Sequence, residues 1–355
     1  MTVTLDVSAI DPASSDHPLK RWQAQRQDLD RAGVPETILA RLDERAAESS
    51  ARGGENTRVV CATPDRVALD IVVPGRPIQN ESAFSAVPHL MPLVRLMARA
   101  QPYVVARVDR RGSDITVVGM TGRGRDHSVE GDNEVIHKVP GGGWSQRRWQ
   151  TRAEDSWDQN ARSVAGELDS IVRTSAPDLV LLEGDDHAVS EVMDHLGPQA
   201  AERTVRLDMG GRAGGAGSVA ARRAVADALQ RHRDAVRAEL LGEFAARLGG
   251  DGAPKAAVEG LDDVVAALQE GKVEHLLIDD DAASPLNLWV GQSPLSLSTT
   301  RAGAAENSDT NGQAVQRDRA DAVMLWSLAG SGGAMTLLEA GDARPRQGIG
   351  ALLRS

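Results

Sequence analysis

Strand-like and helix-like segments alternate along most of the chain, and this alternation narrows the range of possible folds. Clear strand-like runs are Tyr103–Val108, Asp114–Met120 and Leu179–Leu182. Between the second and third, apolar residues recur every three or four positions from Trp149 to Val172, which predicts a long amphipathic helix. Strands that alternate with helices pack as layers, so we expect a mixed α/β (α+β) fold.

The chain has 355 residues, enough for two or three domains of ordinary size. A small α/β block closes near residue 99, and a glycine-rich connector precedes a predicted helix over Val219–Leu248. We therefore expect three domains, covering residues 1–99, 100–210 and 211–355. Within them, Thr121–Val139 is a polar stretch, and Arg317–Ser327 is predicted to be helical.

The charge balance argues against a general nucleic-acid-binding protein, but the charges are unevenly distributed. Lys plus Arg number 40 and Asp plus Glu number 51, a net charge of −11. Nucleic-acid binders usually carry a basic excess. However, Lys138–Arg152 contains Lys138, Arg147, Arg148 and Arg152 and has no acidic residue. This segment is a basic island in an acidic chain.

The glycine-rich loop Gly141–Arg148 within this island is our first candidate site. Gly141, Gly142 and Gly143 allow the backbone to approach a partner closely, and Ser145 is suited to cap the helix that follows. A helix N-terminus favours phosphate, and Trp144 is suited to stack on a base. The structural alternative is a solvated connector. We predict that the loop is functional, and that Trp149 and Trp157 belong to the core.

Two other segments have a competing structural explanation. The connector Gly210–Ser218 lacks the lysine of a phosphate-binding Walker A loop, and Gly215–Ala220 matches only part of a dinucleotide-binding motif, so an interdomain hinge is favoured. The second segment, Gly184-Asp185-Asp186-His187, follows a predicted buried strand. Its carboxylates and histidine could bind a metal, but capping aspartates in a turn explain them equally well. We expect neither a metal nor a cofactor.

Cysteine content and hydrophobicity indicate a cytoplasmic protein. Cys61 is the single cysteine, so no intramolecular disulfide and no cysteine-based zinc site can form. No signal-peptide-like segment opens the chain, and no apolar run reaches the ~20 residues needed to cross a membrane. We expect no membrane association.

Five segments, in order, resemble the bacterial branch of the archaeo-eukaryotic class-one release factor and Pelota superfamily. They are Pro140–Arg148 with the following helix, Leu181–Ala188, Arg206–Ala224, Gly260–Ile278 and Gly348–Arg354. The resemblance covers roughly residues 100–355. It implies an N-terminal domain at the ribosomal decoding centre, a central domain whose loop enters the peptidyl-transferase centre, and a third, ribosomal-protein-like α/β/α domain that binds a translational GTPase.

The chain departs from the release factors at the residue associated with hydrolysis. Release factors place glutamine directly after two glycines, where it helps position water. Here Trp144 follows Gly142 and Gly143, and Gln146 lies two positions later. A shift of about 1 Å in a reacting group can cost ~100-fold in rate. Residues 1–99 also contain no Asn-Ile-Lys-Ser-type motif for stop-codon reading.

The resemblance is strongest to the Balon-like group and its actinobacterial relatives, and it implies a ribosome hibernation factor rather than an enzyme. Such a factor occupies the A site as a monomer, and its loop Gly141–Arg148 contacts ribosomal RNA. The resemblance also implies association of residues beyond about 211 with elongation factor Tu. The main alternative is a rescue factor that hydrolyses peptidyl-tRNA with Gln146, and a third is a nucleotide- or metal-binding stress protein.

Overall fold

The computed structural model describes most of the chain in two compact units. The described residues are 1–8, 16–47, 55–120, 122, 124–130, 144–207, 219–249, 255–306 and 315–354. One unit is formed by Met1–Arg99 together with Val236–Ser355, and the other by Ala100–Ala235. The division into three domains, with boundaries at 99 and 210, stays a prediction.

Residues 1–99 form an antiparallel sheet with helices packed on it. The elements are β1 (Thr2–Asp6), α1 (Asp16–Arg31), α2 (Glu36–Ala47), β2 (Asn56–Ala62), β3 (Val67–Pro74), β4 (Glu81–Ala83) and α3 (Met91–Arg99). The strand order is β3-β2-β1-β4. Trp22, Leu39 and Val60 share its core. Cys61, in β2, is a buried free cysteine that forms no disulfide.

The central unit is built on a five-stranded mixed sheet. Its elements are β5 (Tyr103–Asp109), β6 (Gly112–Val118), β7 (Gly124–Glu130), α4 (Trp144–Ser175), β8 (Leu179–Gly184), α5 (Asp186–His195), α6 (Pro198–Arg203), β9 (Thr204–Arg206) and the first part of α7 (Val219–Leu248). The strand order is β7-β6-β5-β8-β9. Strands β5 and β6 form a hairpin, and β8 runs parallel to β5 after the crossover through α4.

Both faces of strands β5 and β8 are buried, because side chains on a strand alternate between faces. Val104 and Val180 pack with Leu168 of α4 on one face. Val105 and Leu181 pack with Ala228 of α7 on the other. Burial on both sides explains why these strands are continuous apolar runs in the sequence. It also explains the apolar period of α4, which covers one of the two faces.

The remaining elements are two more sheets and the helices packed on them. They are β10 (Ala257–Glu259), α8 (Leu261–Gln269), β11 (Val273–Ile278), α9 (Asp280–Ala283), β12 (Asn287–Val290), β13 (Leu297–Ser298), α10 (Arg301–Glu306), β14 (Gln316–Arg319), α11 (Ala320–Ser331), β15 (Ala334–Leu337) and β16 (Ile349–Leu353). The larger sheet has the order β10-β16-β11-β15, and the smaller has the order β13-β12-β14. The expected mixed α/β fold is therefore present in both units.

Helix α3 joins the N-terminal sheet to the C-terminal elements. Leu93 and Leu96 pack against Val59 of β2. Met91 belongs instead to the C-terminal core, together with Leu288. Helix α3 therefore has apolar side chains on two sides, and each side is covered by a different core. This shared helix explains why residues 1–99 and 236–355 form one unit.

One local prediction was wrong, and one strand was not predicted. The helix predicted over Arg317–Ser327 begins only at Ala320, because Gln316–Arg319 is a strand paired with β12. Pairing with a neighbouring strand outweighs local preference in so short a segment. The polar stretch Thr121–Val139 contains β7, whose exposed position at the edge of the sheet leaves no apolar pattern to detect. None of the helices in the described ranges is both long and apolar enough to cross a membrane.

Candidate functional site

The carboxyl ends of three parallel strands meet at one edge of the central sheet. Strand β5 is parallel to β8, and β8 is parallel to β9. In open α/β sheets this edge is where ligands usually bind. The residues that follow the strands here include Arg110 after β5 and Asp185 after β8.

Gly184 allows strands β5 and β8 to remain close where they end. A Cβ atom placed on Gly184 would lie 2.0 Å from the carbonyl oxygen of Val108, far inside van der Waals contact. The next residue, Asp185, then caps helix α5: its side chain accepts hydrogen bonds from the backbone N–H groups of His187 and Ala188, at 3.2 and 3.3 Å. The Gly184–His187 segment is therefore a strand-to-helix turn with a defined structural role.

A cation–π stack covers this edge. The guanidinium carbon of Arg110 lies 4.3 Å from the ring centroid of Trp157 in α4. The ring of His187 meets the same indole edge-on, with ring centroids 6.4 Å apart. The buried side chain of Asn160 donates a hydrogen bond of 3.0 Å to the carbonyl oxygen of Arg110 and so fixes the turn. We call Arg110, Trp157 and His187 the Arg–Trp–His cluster.

The acidic groups around this cluster already have partners. Asp186 pairs with Arg206, and His187 lies 3.1 Å from Glu191. Over the described residues, no three His, Cys, Asp or Glu side chains are grouped closely enough to hold a metal ion. Arg110 itself lies 3.8 Å from Asp185, so the arrangement offers mainly an aromatic ring suited to stacking on a planar group.

The described part of the predicted loop, Trp144–Arg148, lies at the start of α4. Trp144, Ser145, Gln146, Arg147 and Arg148 are the first five residues of this helix. Ser145 is therefore inside the helix and not at the position that precedes it. Thirteen helical residues precede Trp157, a length of about 20 Å at 1.5 Å per residue. Since α4 runs antiparallel to β8, these residues extend past the carboxyl edge of the sheet.

Some predicted site residues lie outside the described residues. These are Lys138, Gly141, Gly142 and Gly143 and the whole connector Gly210–Ser218. For Trp149 and Arg152, only their place in α4 is described. The predictions for these residues stay predictions.

Trp157 is the site residue that sequence reasoning placed wrongly. It was predicted to lie in the core, because it shares the apolar period of α4. In the structure it is half-buried and stacks on Arg110, outside the core formed by Ala161 and Leu168. A useful signal was available: Arg110 lies in the β5–β6 hairpin turn, and a turn at a strand end can reach the helix that crosses the sheet.

Comparisons with known proteins find a similarity to the release factors in the central part of the chain. Residues 102–250 match the model of bacterial archaeo-eukaryotic release factor family 2. This match includes the central sheet, α4 and the Arg–Trp–His cluster. Over this region, the chain is similar to the bacterial branch of the archaeo-eukaryotic release factors.

Similarity to individual proteins is distributed over a longer part of the chain. An uncharacterized protein of Mycobacterium tuberculosis is 26% identical over 340 residues, which cover 94% of this chain and 87% of that protein. Among solved structures, the ribosome-bound archaeal Pelota aligns with a TM-score of 0.43 at 16% identity, covering 84% of this chain and 78% of that one. Saccharomyces cerevisiae Dom34 gives 0.42 at 11% identity, with 84% and 80% covered.

Proposed function

We propose that this protein is a ribosome hibernation factor. In this proposal it occupies the A site of idle ribosomes, contacts the decoding and peptidyl-transferase centres, and does not hydrolyse peptidyl-tRNA. The match of residues 102–250 to a release factor family model supports a role in translation. The absence of hydrolysis is argued separately, from the start of α4.

The observation that carries the proposal is that α4 begins at Trp144. Gln146 therefore belongs to the helix, and not to the flexible loop in which release factors hold their glutamine. The backbone of Gln146 is helical, which differs from the path open to a residue placed directly after glycine. Hydrolysis needs positioning to within about 1 Å, which disfavours Gln146 as a catalytic group.

Charge and aromatic groups support contact with ribosomal RNA. Lys138–Arg152 has four basic residues and no acidic one in a chain of net charge −11. An acidic body gains little from general attraction to RNA, so binding depends on shape and on a few basic segments. The Arg–Trp–His cluster adds a stacking group in the same helix, thirteen residues after its start. We further propose that the protein acts as a cytoplasmic monomer and that residues beyond about 211 bind elongation factor Tu.

The first experiment measures co-sedimentation with ribosomes from growing and starved cells. The proposal expects the protein in the ribosomal fraction of starved cells, and its absence there contradicts the proposal. A triple variant, Trp144→Ala with Arg147→Gln and Arg148→Gln, is expected to leave that fraction. Arg173→Gln, an exposed arginine in the last turn of the same helix, is expected to remain.

The second experiment separates hibernation from the rescue alternative, in which Gln146 hydrolyses peptidyl-tRNA. Peptide release from stalled ribosomes is measured for the wild type, Gln146→Ala and the matched control Gln159→Ala, an exposed glutamine of the same helix. Hibernation expects no release from any of the three. Release that is lost only in Gln146→Ala establishes the hydrolase instead.

A further inference from the structure

The small sheet β13-β12-β14 presents a tryptophan on its outer face. Leu288 and Val290 of β12 are 0% and 2% exposed and lie in the C-terminal core. Trp289 lies between them and therefore points to the opposite face, because side chains alternate along a strand. It is half-buried and is not part of that core. Core packing therefore does not account for this large aromatic residue.

Two arginines flank the indole of Trp289. Arg317 of β14 pairs directly with Trp289, and directly paired residues in antiparallel strands have their side chains on the same face. From α10, the guanidinium carbon of Arg301 lies 5.7 Å from the Trp289 ring centroid, within cation–π range. We call Trp289, Arg301 and Arg317 the outer Trp–Arg face.

The charge on this face is not neutralised locally. Arg301 and Arg317 are both exposed, and neither forms an ion pair with an acidic side chain in the part of the chain that the structure describes. Asp318, the acidic neighbour of Arg317, points to the other face and lies 2.8 Å from the His89 ring. The nearby Arg319 is occupied by Asp321, at 3.1 Å. Exposed cations beside an aromatic ring form a surface suited to an anionic ligand that also has a planar group.

We propose that the outer Trp–Arg face binds single-stranded RNA. An indole on a sheet surface provides a stacking plane for an unpaired base, and flanking guanidinium groups provide contacts for the adjacent phosphates. A purely acidic peptide needs the cations but has no use for the ring. A double helix hides the faces of its bases, so the stacking group selects an unpaired strand. This face lies outside the glycine-rich loop, and the proposal does not depend on ribosome hibernation.

The test is the binding of the full chain to a labelled single-stranded RNA of about 12 nucleotides, followed by fluorescence anisotropy. The measurements use both the wild type and an Arg147→Gln/Arg148→Gln background, so that RNA bound by the loop does not hide the second surface. Trp289→Ala is expected to weaken binding by about tenfold, and Trp289→Phe to retain most of the affinity, because a smaller ring still stacks. Far-UV circular dichroism and thermal unfolding confirm that each variant is folded.

The arginine variants test the phosphate contacts. Each lost contact lowers the dependence of log affinity on log salt concentration by about 0.7 for a single strand. Arg317→Gln and Arg301→Gln are each expected to show this change, and Arg173→Gln, an exposed arginine of the central unit, is expected to leave the slope unchanged.

Two results would overturn the proposal. One is an RNA affinity that is unchanged in folded Trp289→Ala on the loop-variant background. The other is that polyglutamate of equal charge displaces the RNA as effectively as unlabelled RNA does, because this result identifies a general anion site. Ribosome co-sedimentation is a separate measurement, so failure of the hibernation proposal leaves this test intact.

Discussion

The guanidinium group of Arg110 stacks on the indole of Trp157, with 4.3 Å between the guanidinium carbon and the ring centroid. The contact joins the turn after β5 to the helix that crosses the sheet, at the point where α4 leaves the sheet edge. Because the carbonyl oxygen of Arg110 is also held by Asn160 of α4, the turn is attached to the helix twice. This double attachment fixes the base of the helical extension that leads to the glycine-rich loop.

We expect Arg110→Ala to lower the free energy of unfolding by about 0.5–1 kcal/mol, the usual size of an exposed cation–π contact. A double-mutant cycle with Trp157→Leu, measured by urea unfolding, isolates this interaction from the other contacts of each residue. Arg111→Ala is the control, because Arg111 is exposed and lies in the same turn. Effects of Arg110→Ala and Trp157→Leu that simply add would show that the stack does not stabilise the fold.

Gly184→Ala is expected to destabilise the protein by at least about 2 kcal/mol, because its Cβ atom would lie 2.0 Å from the Val108 carbonyl oxygen. The strands must separate or the turn must change to relieve this clash. Gly166→Ala in α4 is the matched control: a Cβ there meets nothing within 4 Å, and alanine is expected to stabilise the helix by about 0.5–1 kcal/mol. Thermal unfolding of the two variants should therefore shift in opposite directions.

The fold was predictable in segments whose buried side chains recur at a regular spacing in the sequence. The helix Val219–Leu248 was predicted with the bounds that the structure has. β7 and β14 were not predicted, because an exposed edge strand and a short polar strand carry no such pattern. These strands form through hydrogen bonds to a neighbouring strand that is distant in sequence. A local sequence pattern does not predict such bonds.

The site was less predictable than the fold for the same reason. The Arg–Trp–His cluster combines residues 47 and 30 positions apart in sequence order, Arg110 to Trp157 and Trp157 to His187, which the parallel sheet brings together. The helical spacing of apolar residues indicates only that Trp157 lies on the side of α4 that faces the sheet. It does not report that the sheet ends there and that an arginine covers the ring.

Asp318→Asn is expected to destabilise the protein at neutral pH by about 2 kcal/mol, because it removes a charged hydrogen-bond partner of His89 from a site where Asp318 is 8% exposed. Burial raises the pKa of Asp318, but hydrogen bonds from His89 and from the N–H groups of Arg319 and Val87 outweigh it and lower the net pKa below its ordinary value. A carboxyl with a lowered pKa stabilises the folded state above the pKa of the unfolded chain. This contribution is lost as the pH falls through the folded pKa.

The difference in unfolding free energy between wild type and Asp318→Asn should therefore be constant near neutral pH and shrink in acid, as followed by urea unfolding across the acid range. Asp28→Asn provides a control, because Asp28 is an exposed partner of Arg31 and such surface pairs contribute little. A difference that stays constant down to the acid unfolding transition would contradict the ionised Asp318–His89 contact.

A second pH dependence of stability comes from His275 in β11, a basic group rather than an acidic one. Burial lowers the pKa of His275, while Glu274 and Glu243 partly oppose this effect, and its ring lies 2.8 Å from the Thr336 hydroxyl. The unfolded chain then binds a proton more readily than the folded one. Stability from this residue is complete above the unfolded pKa of about 6.5 and declines as the pH falls below it.

His275→Gln is expected to remove this pH dependence, because glutamine can hydrogen-bond to Thr336 but does not titrate in this range. Urea unfolding at pH about 7.5 and about 5.5 should show a larger loss of unfolding free energy for the wild type than for the variant, since these values lie on either side of the ordinary histidine pKa. Other histidines titrate in both proteins, so the comparison between the two isolates His275. Equal losses in both would mean that its imidazole takes up a proton as easily in the folded protein as in the unfolded chain.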